Sequence, residues 1–310
     1  MRSKKCLVIG DINIDIAIYS NHYPTEGSGT SAEHADFRLG GSGCLTALSL
    51  QLLGLPTALA ANMGDDVFSQ FAKGFFDTSG LDASLIRVLP DEQTGFFLTL
   101  VTGDEKRTVF SNRGANAVSF NKDELQSRLE EFGHLHVSGY SLKGNDQYAV
   151  VKKVMESAFA SGIPISLDPG ICTSEQAADR ILGLLKYVKY FMPNQDELAS
   201  LVKIADIDTK IETLLELGCE AVILKQGSLG GKYFKRGFAV SAPAENEPQK
   251  EIVDTTGAGD CFNGGFLKGV LDGKSIEDVL KLANSSSYKM ITSKHGIVDL
   301  IQEANIDRTI

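Results

Sequence analysis

Short apolar, β-branched runs alternate along the chain with longer stretches of mixed apolar and polar residues. Leu7–Ile9 and Thr57–Ala61 have the length of strands, whereas Cys44–Leu53 and Val67–Ser79 have the length of helices. Further on, Leu135–Val137, Ile163–Leu167, Tyr190–Met192 and Ala221–Leu224 each read as a short buried strand, and most are followed by a helix-length segment. The pattern predicts an α/β fold with a mostly parallel central sheet covered by helices. Gly54 and Gly80 stand just past apolar-periodic segments, where helix C-terminal caps belong, and Asn145 or Asp146 is placed to open a helix running to about Ala160.

Two segments break this rhythm. Ile12, Ile14, Ile16 and Ile18 alternate with Asn13, Asp15, Ala17 and Tyr19, so this strand has one apolar face and one largely polar face. Thr94–Val101 and Arg107–Ser111 flank the turn Thr102–Lys106, whose Gly103 and Asp104 suit a hairpin. A small β lid made of residues 12–39 and 93–113 is therefore expected above a core of residues 1–11, 40–92 and 114–310, all within one domain. The apolar faces of exposed lid strands predict a homodimer joined through the lid.

Composition narrows the function. The 310 residues are 43% hydrophobic and 23% charged, as in ordinary soluble proteins, and the formal net charge of -10 argues against a broad electrostatic grip on nucleic acid. No apolar run reaches the roughly 18 residues that span a bilayer, so no membrane partner is expected and the protein reads as cytoplasmic. The five cysteines, Cys6, Cys44, Cys172, Cys219 and Cys261, are scattered without metal-binding spacing, which disfavours disulfides and structural zinc.

The chemistry concentrates in Asp254-Thr255-Thr256-Gly257-Ala258-Gly259-Asp260, a glycine-rich turn followed by a helical stretch. Glycines let the backbone approach an anion, and the open N–H groups at a helix start favour phosphate. Gly257, Ala258 and Gly259 are thus expected to form an anion hole for a transferring phosphoryl group. A carboxylate at Asp260 is suited to take a proton from an attacking hydroxyl. For an isolated run of this kind, the simpler reading of Asp260 is a helix N-terminal acid complementing the dipole. The complete run, however, resembles the C-terminal signature of the PfkB, or ribokinase-like, carbohydrate kinase family, which implies that Asp260 is the catalytic base. The fold so implied is a ribokinase-like three-layer sandwich with a small β-sheet lid.

The resemblance extends over the chain. Gly10-Asp11-Ile12-Asn13-Ile14-Asp15 looks like the family's first strand, and Gly40-Gly41-Ser42-Gly43 is similar to its N-terminal glycine signature; Asp11, Asn13, Asp15, Gly40, Gly41 and Ser42 are thereby expected to touch the phosphate acceptor. Asn13 and Asp15, two apart on a strand, project to one face, where an amide and a carboxylate could hold vicinal hydroxyls. Pro193-Asn194-Gln195-Asp196-Glu197 matches the family's N-x-x-E motif, which implies Asn194 near the nucleotide phosphates and Glu197 in the magnesium shell through water. The same pair also reads as a helix capping box. Lys225-Gln226-Gly227-Ser228-Leu229-Gly230-Gly231 resembles the nucleotide-binding turn, assigning Lys225, Gly227 and Gly230 to the nucleotide, and Ala283 and Asn284 match the region bordering adenine. Asp254 and Thr256 correspond to positions that hold a monovalent cation in several members, implying a potassium site completed by carbonyls near Gly296. Asp168-Pro169-Gly170 ends a strand facing the expected cleft, and Tyr140 is placed to stack on a sugar or base.

One departure stands out. Many sugar-kinase members carry an asparagine after the glycine signature, whereas the corresponding residue here is Leu45, which puts ribose itself in doubt. The reading is an ATP- and Mg2+-dependent kinase acting on a hydroxyl of a small sugar-like substrate, with a nucleoside kinase of the same superfamily as the alternative. A non-catalytic ligand-binding protein ranks lower, as does an NAD-dependent oxidoreductase, since Gly10 is followed by Asp11-Ile12-Asn13 and not by G-x-G-x-x-G.

Overall fold

The structure, a computed structural model, describes residues 5–103, 106–171, 174–245 and 250–307, with side chains to residue 304. Asp104 of the expected hairpin turn and Cys172 lie outside the described residues. The first strand shows how the sheet is built. In β1 (Cys6–Ile9) all four side chains are buried, Cys6 and Val8 in one core and Leu7 and Ile9 in another. A strand covered on both faces carries no polar alternation, which is why the run is continuously apolar.

Around β1 a nine-stranded sheet assembles from β4 (Thr57–Gly64), β5 (Ile86–Leu89), β8 (His134–Ser138), β9 (Ile165–Asp168), β10 (Tyr190–Phe191), β11 (Ala221–Lys225), β12 (Gly231–Lys235) and β13 (Phe238–Ala242). The order is β13-β12-β11-β10-β9-β8-β1-β4-β5. Pairings from β11 to β5 are parallel, and β12 and β13 close one edge antiparallel. After β1 the chain first moves to β4 and β5 and then crosses to β8, so the order reverses between β1 and β8. In open α/β sheets ligands bind beyond the carboxyl ends of strands at such a reversal.

Helices cover both faces. On one lie α1 (Ser42–Leu52), α2 (Val67–Ser79), α8 (Ala258–Leu271), α9 (Ile276–Thr292) and α10 (Ile297–Asp307), packing Leu48, Phe76, Phe266, Leu280 and Ile301 into the first core. On the other lie α3 (Lys122–Ser127), α4 (Asn145–Ala160), α5 (Glu175–Leu182), α6 (Gln195–Leu201) and α7 (Ile207–Glu216). A fully buried side chain such as Phe266 contributes about 1.5–3 kcal/mol, so these two layers hold the sheet. Helix ends follow their sequence signals. Asp66 caps α2 through the Ser69 N–H at 2.9 Å, and Gly80 ends it in the left-handed region at φ 73°.

A second sheet of four strands stands apart in the order β3-β2-β6-β7, formed by β2 (Asn13–Ser20), β3 (His34–Gly40), β6 (Gly95–Thr102) and β7 (Arg107–Asn112). The alternation in β2 is resolved as expected: Ile14 and Ile16 are buried in the first core, and Asn13 and Asp15 point the other way. Phe37 and Phe110, on the edge strands β3 and β7, are exposed.

Candidate active site

The site forms where β1 and β8 end. Glycines at positions 10 and 43 bring the end of β1 against the start of α1: a Cβ on Gly10 would lie 2.4 Å from Gly43 Cα. Asp11, the next residue, is buried; its Oδ1 accepts the Gly43 N–H at 3.2 Å and its Oδ2 accepts Asn13 Nδ2 at 3.3 Å. Asn116 donates to Asn13 Oδ1 at 2.9 Å and to the Ile12 carbonyl at 2.7 Å, which fixes the orientation of the Asn13 amide. Gly40 serves the neighbouring carboxylate, since a Cβ there would sit 2.2 Å from Asp15 Oδ2. Burial, with the nearby charges of Asp11 and Asp254, pushes Asp15 up to about 7.

Asp260 enters from the opposite side on the first turn of α8, whose N-cap is Gly257 at φ 77°. Its Oδ1 accepts the Ser42 hydroxyl at 2.7 Å. The side chain keeps some exposure to the cavity but is surrounded by protein. Burial and the Asp168 charge hold it well above the usual carboxylate range, against the Ser42 hydrogen bond and Lys225. The expected three-amide anion hole needs one correction: the Ala258 N–H donates to the Thr255 carbonyl at 3.2 Å, because the turn closes on itself. The amides of Gly257 and Gly259 have no protein acceptor among the described residues.

A cavity of about 260 Å³ brings together Asp11, Asn13, Asp15, Gly41, Ser42 and Tyr140 with Thr256, Gly257 and Asp260. Leu45 lines it as well, so the position where an asparagine is common supplies an apolar contact. Phe96 and Phe97 from β6 also line it, which sets the small sheet beside the cavity. Sequence reasoning missed Asn116, Arg113 and Lys143, the last two of which bring positive charge into the cavity.

Beyond β9 and β11 lies a buried polar cluster. Lys225 Nζ pairs with Asp168 Oδ2 at 2.6 Å and lies 3.9 Å from Glu197 Oε2, while Asn263 donates to the same Asp168 oxygen. Burial raises Asp168, yet the Lys225 charge and the hydrogen bonds from Lys225, Asn263 and the Gly170 N–H together outweigh it and hold the carboxyl below its ordinary value. For Lys225 the carboxylates likewise outweigh burial and raise it. The ammonium reaches the glycine turn, for a Cβ on Gly259 would be 3.4 Å from Lys225 Nζ.

Asn194 and Glu197 form the capping box of α6: Asn194 Oδ1 accepts the Glu197 N–H at 2.8 Å, and Glu197 Oε2 accepts the Asn194 N–H at 2.7 Å. Oε1 of Glu197 accepts no protein hydrogen bond among the described residues, and burial, together with Asp168, pushes the group up to about 7. This fits a magnesium ion approached through water, which takes one or two carboxylates together with phosphate oxygens. No group of three or more potential metal-ligating side chains occurs among the described residues.

The remaining nucleotide residues separate. Gly227 and Gly230 flank the turn from β11 to β12, and Gly230 at φ 89° makes room for the Ala242 carbonyl. Asn284 donates to the Ala242 and Pro243 carbonyls and borders a cavity of about 420 Å³ at the β13 edge. Ala283 corrects the expectation: it is fully buried against Gly265 between α8 and α9, so its side chain is unavailable to a ligand. The proposed potassium ligand Asp254 is also otherwise engaged. Its Oδ2 accepts Arg38 Nη1 at 2.9 Å, and its Oδ1 accepts the Thr256 N–H and hydroxyl at 3.0 and 2.9 Å. These bonds compete with a cation at Asp254, although Asp254, Thr256 and Gly296 line one small cavity.

A helix-borne carboxylate beside open amides at the edge of a polar cavity suits a small-molecule phosphotransferase. The comparisons agree. The model for pfkB family carbohydrate kinase matches residues 3–303, and the chain belongs to that family. It is 29% identical over 251 residues, 80% of this chain and 96% of the relative, to an uncharacterized sugar kinase of Archaeoglobus fulgidus. It is 26% identical over 295 residues, 91% of this chain and 90% of the relative, to an ATP-dependent ribose-1-phosphate kinase of Halopiger xanaduensis. Among solved structures it superposes on a putative ribokinase II from E. coli in complex with ATP and Mg2+. The TM-score is 0.81 at 25% identity, over 99% of each chain.

Proposed function

We propose that the protein transfers the γ-phosphoryl group of ATP to a hydroxyl of a small sugar or sugar-like acceptor, with Asp260 as general base. The observation that carries this reading is the Asp260 carboxylate, held by Ser42 at 2.7 Å inside the cavity that also contains Asn13 and Asp15. In the ionised form Asp260 takes the proton of the acceptor hydroxyl. The oxygen attacks the γ-phosphorus, the bond to the β-phosphate oxygen breaks, and ADP leaves. The open amides of Gly257 and Gly259 face the negative charge that builds up on the phosphoryl oxygens. Lys225 adds a fixed positive charge beneath the same turn. Magnesium, when bound, neutralises phosphate charge, and Glu197 through Oε1 would hold one of its waters. The guanidinium of Arg38 supplies the positive charge at Asp254, and no step is assigned to potassium. Phe96 and Phe97 cover the acceptor side and help exclude water.

Those two rings, together with Tyr140, also support a second reading in which the acceptor is a nucleoside whose base stacks on them. ADP release measured across sugars and nucleosides separates the two. Exposed Phe37 and Phe110 support a homodimer through the lid, tested by sedimentation. For the mechanism, the test is Asp260→Asn: turnover falls by about 10² to 10⁴ while nucleotide affinity changes by less than about threefold. Near-wild-type turnover in that variant refutes the assigned base.

A further inference from the structure

Ile12 lies between β1 and β2, where neither sheet pairs its backbone. One side chain serves both of its polar groups: the Ile12 N–H donates to Asn116 Oδ1 at 3.1 Å, and Asn116 Nδ2 donates to the Ile12 carbonyl at 2.7 Å. A peptide N–H only donates and a peptide carbonyl only accepts, so this pair allows the Asn116 amide one orientation. Its second Nδ2 hydrogen goes to Asn13 Oδ1 at 2.9 Å. Asn13 inherits the orientation. With Oδ1 taken, its Nδ2 meets Asp11 Oδ2 at 3.3 Å, the one acceptor it has among the described residues, and a second N–H remains for the cavity that Asn13 lines.

The surroundings hold this arrangement in place. Asn116 is buried, and its carbonyl accepts Arg113 Nη2 and Gln147 Nε2, both at 2.7 Å, which anchors its backbone. On the lid, Gly95 stands opposite Asn13 in the strand pairing, and a Cβ there would lie against Asn116 Nδ2 and 2.5 Å from Asn13 Oδ1. Glycine leaves room for the bond. Asp15, two residues further along β2, lines the same cavity and as a carboxylate only accepts. A fixed donor at Asn13 thus stands next to an acceptor at Asp15.

We propose that Asn116 is a positioning residue for acceptor recognition. It acts through Asn13, committing that amide to donate, so that the bound molecule must meet Asn13 with the lone pair of a hydroxyl oxygen. Without Asn116 the Asn13 amide can turn over and set its own carbonyl against that oxygen. The proposal rests on the kinase reading above and adds how that site selects its acceptor.

The test is a double-mutant cycle on acceptor kcat/KM. ADP release is measured with the sugar or nucleoside that supports the highest rate in a screen, and with each of its mono-deoxy analogues. Asn116→Ala raises the acceptor KM about tenfold and the KM for ATP by less than about twofold. In the Asn13→Ala background the same substitution changes acceptor kcat/KM by less than about twofold, because the group through which it acts is gone. One deoxy analogue loses about tenfold in the wild-type protein, and that penalty falls below about threefold in Asn116→Ala. Since Asn116→Ala also leaves the Ile12 N–H unpaired, Asn116→Asp provides a second variant. It keeps an acceptor for that N–H while denying Asn13 Oδ1 its donor, and the same KM and deoxy pattern is expected. An acceptor KM unmoved in both variants, equal costs with and without the Asn13 side chain, or an unchanged deoxy penalty confines Asn116 to bracing Ile12. Each of these overturns the proposal and leaves the kinase reading standing, whereas ADP release that no sugar or nucleoside stimulates overturns both.

Discussion

Replacing Ser42 by alanine separates a base whose ionised form a hydrogen bond favours from an acidic residue that only caps a helix. The Ser42 hydroxyl donates to Asp260 Oδ1 at 2.7 Å, and this bond favours the carboxylate over the neutral acid. Asp260 is already raised above its ordinary value by burial and by Asp168, so activity grows with pH as the group ionises in the folded protein. Loss of the hydroxyl raises it further and moves the rising limb of kcat/KM to higher pH. A hydrogen bond to a charged oxygen contributes about 1.5 kcal/mol, and partial exposure to the cavity reduces this to about 1 kcal/mol. On the limb kcat/KM therefore falls about five- to tenfold, and it recovers at pH values above the limb. The assay is ADP release with saturating ATP at varied acceptor, from about pH 5 to 9, with Ser42→Thr as the variant that restores a hydroxyl. A uniform loss at every pH would mean that Ser42 acts only in packing. A limb displaced to lower pH would refute the electrostatic argument outright.

Three further predictions rest on separate contacts. Lys225→Met leaves Asp168 and Glu197 buried without their cation and lowers unfolding stability by about 3 kcal/mol, read from urea denaturation; an unchanged midpoint would mean that the pair has no net stabilising role. Gly10→Ala places a Cβ 2.4 Å from Gly43 Cα, where the two nearest atoms are backbone, and costs about 1–3 kcal/mol by the same measurement. Because Arg38 already neutralises Asp254, exchanging potassium for tetramethylammonium at equal ionic strength changes wild-type kcat/KM by less than about twofold. Arg38→Met becomes stimulated by potassium, whereas a wild-type protein that needs the ion contradicts this assignment.

The elements of the fold were readable because each depends on neighbours in sequence. Continuous apolar runs of four or five residues predict strands covered on both faces, as in β1 and β11, and the isoleucine alternation from Ile12 predicts a sheet with one polar face. The capping box at Asn194 and Glu197 could be read in two ways: the box forms, and its bonds use Oε2 and leave Oε1 open for the other role. Ala283 shows the limit of matching by position. Its place on α9 agrees with the family pattern, yet α8 and α9 approach so closely at Gly265 that the methyl group is enclosed by the helix pair.

What local reading misses is long-range by nature. Asn116 orients Asn13 from 103 residues away, and Arg38 reaches Asp254 across 216. No spacing rule links such residues; the sheet reversal between β1 and β8 and the return of the lid strands bring them together. Arg113 makes the point most clearly. In sequence it is a lone arginine before Gly114, indistinguishable from a solvated charge at the end of a hairpin. Only after folding do the Asn116 and Tyr140 carbonyls and Gln147 gather around one of its nitrogens. A candidate site held in one contiguous turn can thus be proposed from residues alone, whereas the lining of the cavity is distributed over segments joined by the fold. Relatives sharing the turn from Asp254 to Asp260 should then differ in substrate where they differ at cavity-lining positions such as Leu45.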